Sequence, residues 1–361
     1  MFFIMSKKKT KKRNAGPPKP LVQLSQCMIV KNEEHNIEKA LSWGKGIACE
    51  QIVVDTGSTD RTVEIAEKMG ATVYHFKWIN DFSAAKNFAI EQAKGNWIAF
   101  LDADEYLVSE DAKHLLFCLK KIQSDAEMRN RWFALNLPWA HVDENGKPFA
   151  VQDQERVFRS FVRYIGRIHE RIDVSPENIA HVDEMTIIHT GYARGEIDKQ
   201  QKAERNIQML RDELKENPND LNTKVYLADS LQVTNDAQNI AEAEMLFYEA
   251  IRGNGGGIIP ALKKKSYLRL VSKHEDMPQQ LVGREELCKK ALLEFPDDLD
   301  MTYYLGVALN DKGDHEAALK VLQKCERLLS DKNAAADSEI ISANPNLLYD
   351  EIARATGEGH P

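Results

Sequence analysis

The chain of 361 residues has no apolar run approaching the roughly 20 residues needed to span a bilayer. It contains neither G-x-G-x-x-G nor G-x-x-x-x-G-K-[ST], which speaks against a dinucleotide-binding dehydrogenase and a P-loop enzyme. Cysteine is sparse. Cys27, Cys49, Cys118, Cys288 and Cys325 are odd in number, scattered and without metal-type spacing, so they read as reduced interior residues. Residues 1–5 are too short for a signal-peptide core, and the basic residues follow them instead of preceding them. Acids are missing from residues 7–19, which carry seven Lys or Arg. Residues 1–20 therefore read as a disordered basic arm, a solvated tail in preference to a contact with nucleic acid or an anionic membrane. The expectation is a cytoplasmic protein, at most peripheral at the inner membrane face, with no nucleic-acid partner.

What is present suits a globular protein of two or three domains: 43% apolar residues, 29% charged and a net charge of −8. The pivotal stretch is Trp97-Ile98-Ala99-Phe100-Leu101-Asp102-Ala103-Asp104-Glu105, an apolar run that breaks into acids. It reads as a buried strand emerging at a sheet edge. If the backbone stays extended, Asp102 and Asp104 point the same way and can share a divalent ion, or divide a metal and a sugar hydroxyl between them. The plain alternative is a solvated acidic turn.

Upstream, strands are expected over residues 21–30, 51–55 and 71–76, with helices over 37–43, 61–69 and 82–93. This alternation calls for a doubly wound, mostly parallel α/β sheet. Ligands of such sheets bind outside the carboxyl ends of the strands, where Glu33, Asp55, Asp102 and Asp104 all fall.

Four motifs stand in order over about eighty residues: Met28-Ile29-Val30-Lys31-Asn32-Glu33; Val54-Asp55-Thr56-Gly57-Ser58-Thr59-Asp60-Arg61-Thr62; Asp81-Phe82-Ser83-Ala84-Ala85-Lys86-Asn87; and Asp102-Ala103-Asp104-Glu105. Together they closely resemble family 2 glycosyltransferases of the GT-A fold. The resemblance implies a nucleotide-sugar donor, most often a UDP-sugar, whose diphosphate is bridged by Mn²⁺ or Mg²⁺. It implies that Asp55 contacts the base, Glu33 the ribose or base, and Lys86 the base or diphosphate. Many relatives carry Arg at the Lys86 position, and Lys keeps the charge but not the bidentate fork. Asp102 would lie near ribose and metal, and Asp104 would bind the metal directly.

Residues 132–139 read as a strand and Asp143-Glu144-Asn145-Gly146 as a hairpin turn. Within the resemblance, the region through Ile168-His169-Glu170 and His189 forms the acceptor half of the site, with His169 binding the metal or contacting the diphosphate, or His189 supplying an imidazole to the metal. Inverting transfer needs a carboxylate base. Glu170 is favoured over Glu155, Asp153 and Glu105 because it follows a strand-like segment expected to face the site. A salt bridge to Arg167 or Arg171 is its structural alternative. The Glu-Asp pair common in the family is missing. Arg156, Arg159 and Arg167 either hold phosphate or acceptor or are solvated.

From residue 195 the pattern is helical. Tyr303-Tyr304-Leu305-Gly306-Val307-Ala308-Leu309, followed by Gly313, Ala318, Leu322 and Cys325, matches a tetratricopeptide repeat, and a second unit runs from Tyr226 to Ala250. Asn217-Pro218-Asn219-Asp220 and Phe295-Pro296-Asp297-Asp298 read as turns preceding repeat helices, residues 262–294 as a degenerate repeat, and residues 253–257 as a flexible break. The expected organisation is a basic arm (1–20), a GT-A domain (21–194), a tetratricopeptide-like all-α module (195–345) and a tail (346–361). The module suits a peptide, protein or glycan acceptor, or a homodimer. Two other readings stand beside an inverting, metal-dependent transferase acting on a peptide, glycan or lipopolysaccharide-type acceptor. One is a nucleotidyltransferase. The other is a scaffold carrying a degenerate transferase domain.

Overall fold

The computed structural model describes residues 22–143, 145–191, 196–253, 257–272, 281–331, 334–335 and 338–357. The basic arm expected over residues 1–20 and the centre of the expected glycine break lie outside the described residues. So do the chain around residues 194–195 and the last four residues of the expected tail. The chain divides into two compact units, one through residue 194 and the other from residue 195.

The first unit runs β1 (Leu24–Val30), α1 (Ile37–Ser42), β2 (Glu50–Asp55), α2 (Thr62–Lys68), β3 (Thr72–His75), α3 (Phe82–Gln92) and β4 (Trp97–Phe100). It continues with β5 (Glu105–Leu107), α4 (Ser109–Ser124), α5 (Ala126–Arg131), β6 (Ala134–Val142), β7 (Pro148–Arg159), β8 (Tyr164–Ile165), β9 (Arg171–Ile172), β10 (Ile179–His181) and β11 (Ile187–His189). The main sheet has the order β3-β2-β1-β4-β7-β6-β11-β5, with β10 beside β6. Its first four strands are parallel. Strand β7 then joins antiparallel to both β4 and β6. Strand β11 lies parallel to β6 and antiparallel to β5. The sheet is the mostly parallel α/β kind that the strand–helix alternation calls for.

Burial on both faces explains the continuous apolar strands. Successive residues point to opposite faces. Met28 and Val53 accordingly pack with Ile37, Leu41 and Ala66 of α1 and α2, while Cys27, Ile52 and Val54 pack with Ala89 and Ile90 of α3. The two polar residues buried in β1 are satisfied: the Ser25 hydroxyl donates to Glu50 at 2.6 Å, and the Gln26 amide donates to the Ala40 carbonyl at 2.7 Å. The expected hairpin turn closes β6 onto β7. There the Asp143 carboxylate accepts from the Asn145 and Lys147 amides, and Gly146 takes a φ of 78°.

The second unit is helical: α6 (Glu196–Glu216), α7 (Leu221–Val233), α8 (Ala237–Arg252), α9 (Pro260–Ser272), α10 (Leu281–Glu294), α11 (Leu299–Asp311), α12 (His315–Leu329) and α13 (Asn346–Thr356). The turns Asn217-Pro218-Asn219-Asp220 and Phe295-Pro296-Asp297-Asp298 end in helix caps. Asp220 accepts from the Asn222 amide and Asp298 from the Met301 amide. Asp236 and Asp314 cap α8 and α12 in the same way. The small and large repeat positions pack inward: Ala228, Phe247, Ala250, Ala308, Ala318, Leu322 and Cys325 are all fully buried. Residues 346–356, set in the tail by sequence, form α13 with Leu348 buried. Among the described residues no helix is long and apolar enough to cross a membrane.

Candidate active site

The loops leaving the carboxyl ends of β1 and β2 lock together. Asn32, at φ 58°, accepts from the Thr59 amide at 2.8 Å, and the Asn32 amide donates to the Ser58 hydroxyl at 3.0 Å. The Glu33 amide donates to Thr62 Oγ1 at 2.7 Å, and the Glu34 amide to Asp60 at 3.1 Å. Most of the Thr56-to-Thr62 motif is thus scaffold for the loop that carries Glu33. Asp55, the last residue of β2, accepts from the Gly57 and Ser58 amides at 3.2 and 2.9 Å and faces His75 Nδ1 at 3.3 Å. Burial alone would push its carboxyl up, but these hydrogen bonds outweigh burial and hold it below its ordinary range.

The acidic break after β4 is not extended. The Glu105 amide donates to the Asp102 carbonyl at 3.0 Å, a turn that sends Asp102 and Asp104 to different partners. Asp102 meets Lys86 Nζ at 3.5 Å and Arg156 Nη2 at 3.1 Å. Asp104 meets His189 Nε2 at 3.5 Å. The extended backbone on which a shared direction of the two carboxylates depended is thus absent, and they divide between separate partners.

Lys86 sits on α3, only 2% exposed, between the rings of Phe100 and Tyr164 at 5.2 and 5.0 Å. It also pairs with Glu170 Oε1 at 2.7 Å. Burial works against the ammonium, but Asp102 and Glu170 overcome it and hold the Lys86 amine well above its ordinary value. Beneath Asp102, Glu105 is 1% exposed and takes Arg156 at 2.6 Å. Burial raises the Asp102 carboxyl, whereas Lys86 and Arg156 lower it, and the net direction is down. Burial pushes Glu105 up, opposed by Arg156 and aided by Asp102. Burial also pushes the Tyr164 phenol up to about 12. Among the described residues, Arg156 Nε and the Tyr164 hydroxyl are buried without a hydrogen-bond partner.

The stretch Asp81-Phe82-Ser83-Ala84-Ala85-Lys86-Asn87 builds this arrangement. Asp81 caps α3 by accepting from the Ala84 amide at 2.8 Å. The Ser83 hydroxyl donates to the Gly166 carbonyl at 2.5 Å, and the Phe82 amide to the Arg167 carbonyl at 2.8 Å. The turn between β8 and β9, which carries Glu170, is therefore tied to the helix that carries Lys86. His169 lies exposed on that turn with a φ of 52°.

His189 ends β11 and is brought to Asp104 by the pairing of β11 with β5 and β6. Its Nδ1 lies 2.9 Å from His141 Nδ1. The rings of Trp139 and His141 are 4.1 Å apart, and Trp139 lies 4.6 Å from His189. Burial, then His189, lowers the His141 imidazole from its ordinary value. A Cβ added to Gly191 would fall 2.2 Å from Asp104 Oδ2 and 2.7 Å from His189 Nε2, so only glycine lets the chain lie this close against both groups.

One carboxylate and one imidazole that face each other at 3.5 Å suit a divalent cation. Among the described residues no three such side chains converge on one point, so a complete coordination shell would need ligand oxygens. Sequence reasoning weighed Arg156 and Glu105 without pairing them, and it missed His141 and Trp139. The available signal was a histidine alternating with a tryptophan along β6.

Residues 25–133 match the sequence profile described as Glycosyl transferase family 2. The chain is similar to a TPR repeat-containing protein of Synechococcus elongatus, 34% identical over 213 residues, which are 55% of this chain and 50% of the relative. It is also similar to the SPbeta prophage-derived glycosyltransferase SunS of Bacillus subtilis, 30% identical over 201 residues, 53% of this chain and 45% of the relative. The chain thus spans about half the length of these curated relatives. Among solved structures, S. aureus TarS 1–349 in complex with UDP-GlcNAc covers 70% of this chain and 88% of its own length at a TM-score of 0.40 and 15% identity. That likeness is too slight to carry an argument. The first unit carries a glycosyl transferase family 2 domain, and a module made of helices follows it.

Proposed function

We propose that the first unit transfers a sugar from a nucleotide-sugar donor, a UDP-sugar, to a hydroxyl or similar nucleophile of a peptide, glycan or lipopolysaccharide-type acceptor, with inversion at the anomeric carbon. The observation that carries this is the gathering of Asp55, Asp102 and Asp104 at the carboxyl ends of β2 and β4 within the family-matched stretch. Glu33 and Asp55 would receive the nucleoside, and Asp102 would face the ribose. Asp104 and His189 would hold Mn²⁺ or Mg²⁺, His189 being preferred to the exposed His169 because it already faces Asp104. When bound, the cation would offset charge on the departing diphosphate.

Glu170 would take the acceptor proton as the acceptor oxygen bonds to the anomeric carbon and the bond to the diphosphate breaks. Lys86 is buried against Asp102 and Glu170, so its role would be to hold these carboxylates, not to reach the donor. The helical module would present the acceptor or pair with a second copy.

The test is donor hydrolysis across UDP-, GDP- and CMP-sugars with Mn²⁺ or with EDTA. The expected result is metal-dependent release of one nucleotide, lost in Asp104→Ala. Failure of every donor, together with failure of UDP and Mn²⁺ to bind by calorimetry, would replace this reading with a scaffold.

A further inference from the structure

We propose that His141 is a positioning residue that sets the tautomer of His189, freeing the Nε2 lone pair of His189 for the cation held with Asp104. This rests on the reading of Asp104 and His189 as a cation site. Two ring nitrogens 2.9 Å apart need one hydrogen between them, so the Nδ1 atoms of the two histidines are neither both protonated nor both bare. A neutral imidazole carries one N–H. The tautomers of the pair are therefore linked.

When Nε2 of His189 serves a cation, its hydrogen lies on Nδ1 and is donated to a bare His141 Nδ1. The hydrogen of His141 then sits on its own Nε2. With no cation, the Asp104 carboxylate 3.5 Å away draws the hydrogen to Nε2 of His189. Nδ1 of His189 is then bare and accepts from Nδ1–H of His141. Both states need a partner that can accept or donate at one place, which a histidine does and an apolar residue does not.

The placement is built into the sheet. His141 and His189 are register partners on parallel β6 and β11. His141 is 2% exposed, with the Trp139 ring 4.1 Å away and the Phe149 ring 6.0 Å away. A metal-bound histidine usually has its second nitrogen held in this way, and loss of the holding group commonly costs about 10–100-fold in metal affinity.

The experiment titrates the full chain with Mn²⁺ at saturating UDP, reading free Mn²⁺ by electron paramagnetic resonance. It compares wild type, His141→Leu, His141→Asn and His189→Ala. His141→Leu is expected to weaken Mn²⁺ binding about 10–100-fold. His141→Asn, whose amide can accept or donate after a flip, is expected to stay near wild type, and His189→Ala to lose binding. Undiminished binding in His141→Leu beside loss in His189→Ala would overturn the role of His141 while leaving the cation site standing. Undiminished binding in His189→Ala would overturn the cation site and this inference with it. Should His141→Leu fail to fold, imidazole ¹⁵N shifts of the wild type with Mg²⁺ and UDP decide. A hydrogen on Nδ1 of His189 together with a bare Nδ1 on His141 supports the inference, a hydrogen on Nδ1 of His141 overturns the role of His141, and a hydrogen on Nε2 of His189 overturns the cation site with it.

Discussion

Asn87 holds Tyr164 by both of its backbone polar groups: the side-chain amide donates to the Tyr164 carbonyl at 2.9 Å, and the Tyr164 amide donates back to Asn87 Oδ1 at 2.8 Å. Tyr164 begins the small β8–β9 ribbon, and Glu170 lies on the turn that joins its strands. The same helix therefore fixes the ribbon through Asn87 and pairs with its carboxylate through Lys86. Asn87→Ala strips two partners from a buried residue and is expected to cost about 2–3 kcal/mol of stability. Loosening Glu170 by a fraction of an ångström is expected to lower donor hydrolysis by roughly ten-fold or more. Thermal unfolding and single-donor kinetics on the folded variant check both.

Lys86→Met removes the cation between Asp102 and Glu170, and about 3 kcal/mol of stability should go with it. Lys86→Arg keeps the charge but meets the Phe100 and Tyr164 rings, and it should retain more of the stability. The pH dependence has a definite sign. In the wild type the Asp102 carboxyl titrates below its ordinary value. Its contribution is thus full above the unfolded value and is lost only as pH falls through the lowered one. Without Lys86 burial is opposed by Arg156 and His189 only, so the carboxyl is less depressed and its acid-side loss should be smaller and complete at higher pH. Melting temperatures measured from neutral pH down to pH 3 would show the shift, and superimposable curves would contradict it.

Gly191→Ala tests the space beside Asp104. A Cβ only 2.2 Å from Asp104 Oδ2 and 2.7 Å from His189 Nε2 must displace one of them. Mn²⁺ binding at saturating UDP should weaken by about ten-fold or more, while the melting temperature falls only slightly. Unchanged Mn²⁺ binding would remove Asp104 and His189 from the proposed cation site.

Much of the first unit was legible because its strands are apolar runs that end in acids or polar caps. Asp55 closes β2, Asp102 follows β4, and Asp81 caps α3 where the chain reads Asp81-Phe82-Ser83. The short strands were not legible. β5 and β11 have three residues each, too few for a period to show, and only the pairing of β11 with β5 and with β6 brings His189 to Glu105 and His141.

Lys86 misled in another way. A lysine after two alanines in a helix resembles a solvent-facing residue or a ligand contact, and only the aromatic walls from β4 and β8 show that it is buried. Sequence proximity likewise suggested Arg167 or Arg171 as partners for Glu170, whereas the ribbon's attachment to α3 delivers Lys86. The shared direction of the acidic pair depended on an extended backbone, and the turn at Asp102 was invisible without the Glu105–Arg156 pair beneath it.

The repeat module offers a case in which two known effects oppose each other. Gly306 lies in the interior of α11, where replacing glycine by alanine ordinarily gains about 1 kcal/mol of helix stability. A Cβ at that position would lie 2.4 Å from Leu322 Cδ2 and 2.6 Å from Leu322 Cγ. Leu322 on α12 is fully buried, so its side chain has nowhere to swing, and overpacking of this kind costs about 1–3 kcal/mol. The clash should outweigh the propensity, leaving Gly306→Ala destabilised by roughly 1 kcal/mol. Leu322→Ala alone should cost about 2–5 kcal/mol through the cavity it leaves. In the double variant the new methyl enters that cavity, so the combined loss should fall short of the sum by about 1–2 kcal/mol. Chemical denaturation of the four proteins measures this coupling. Simple additivity would mean that α11 and α12 do not meet at Gly306.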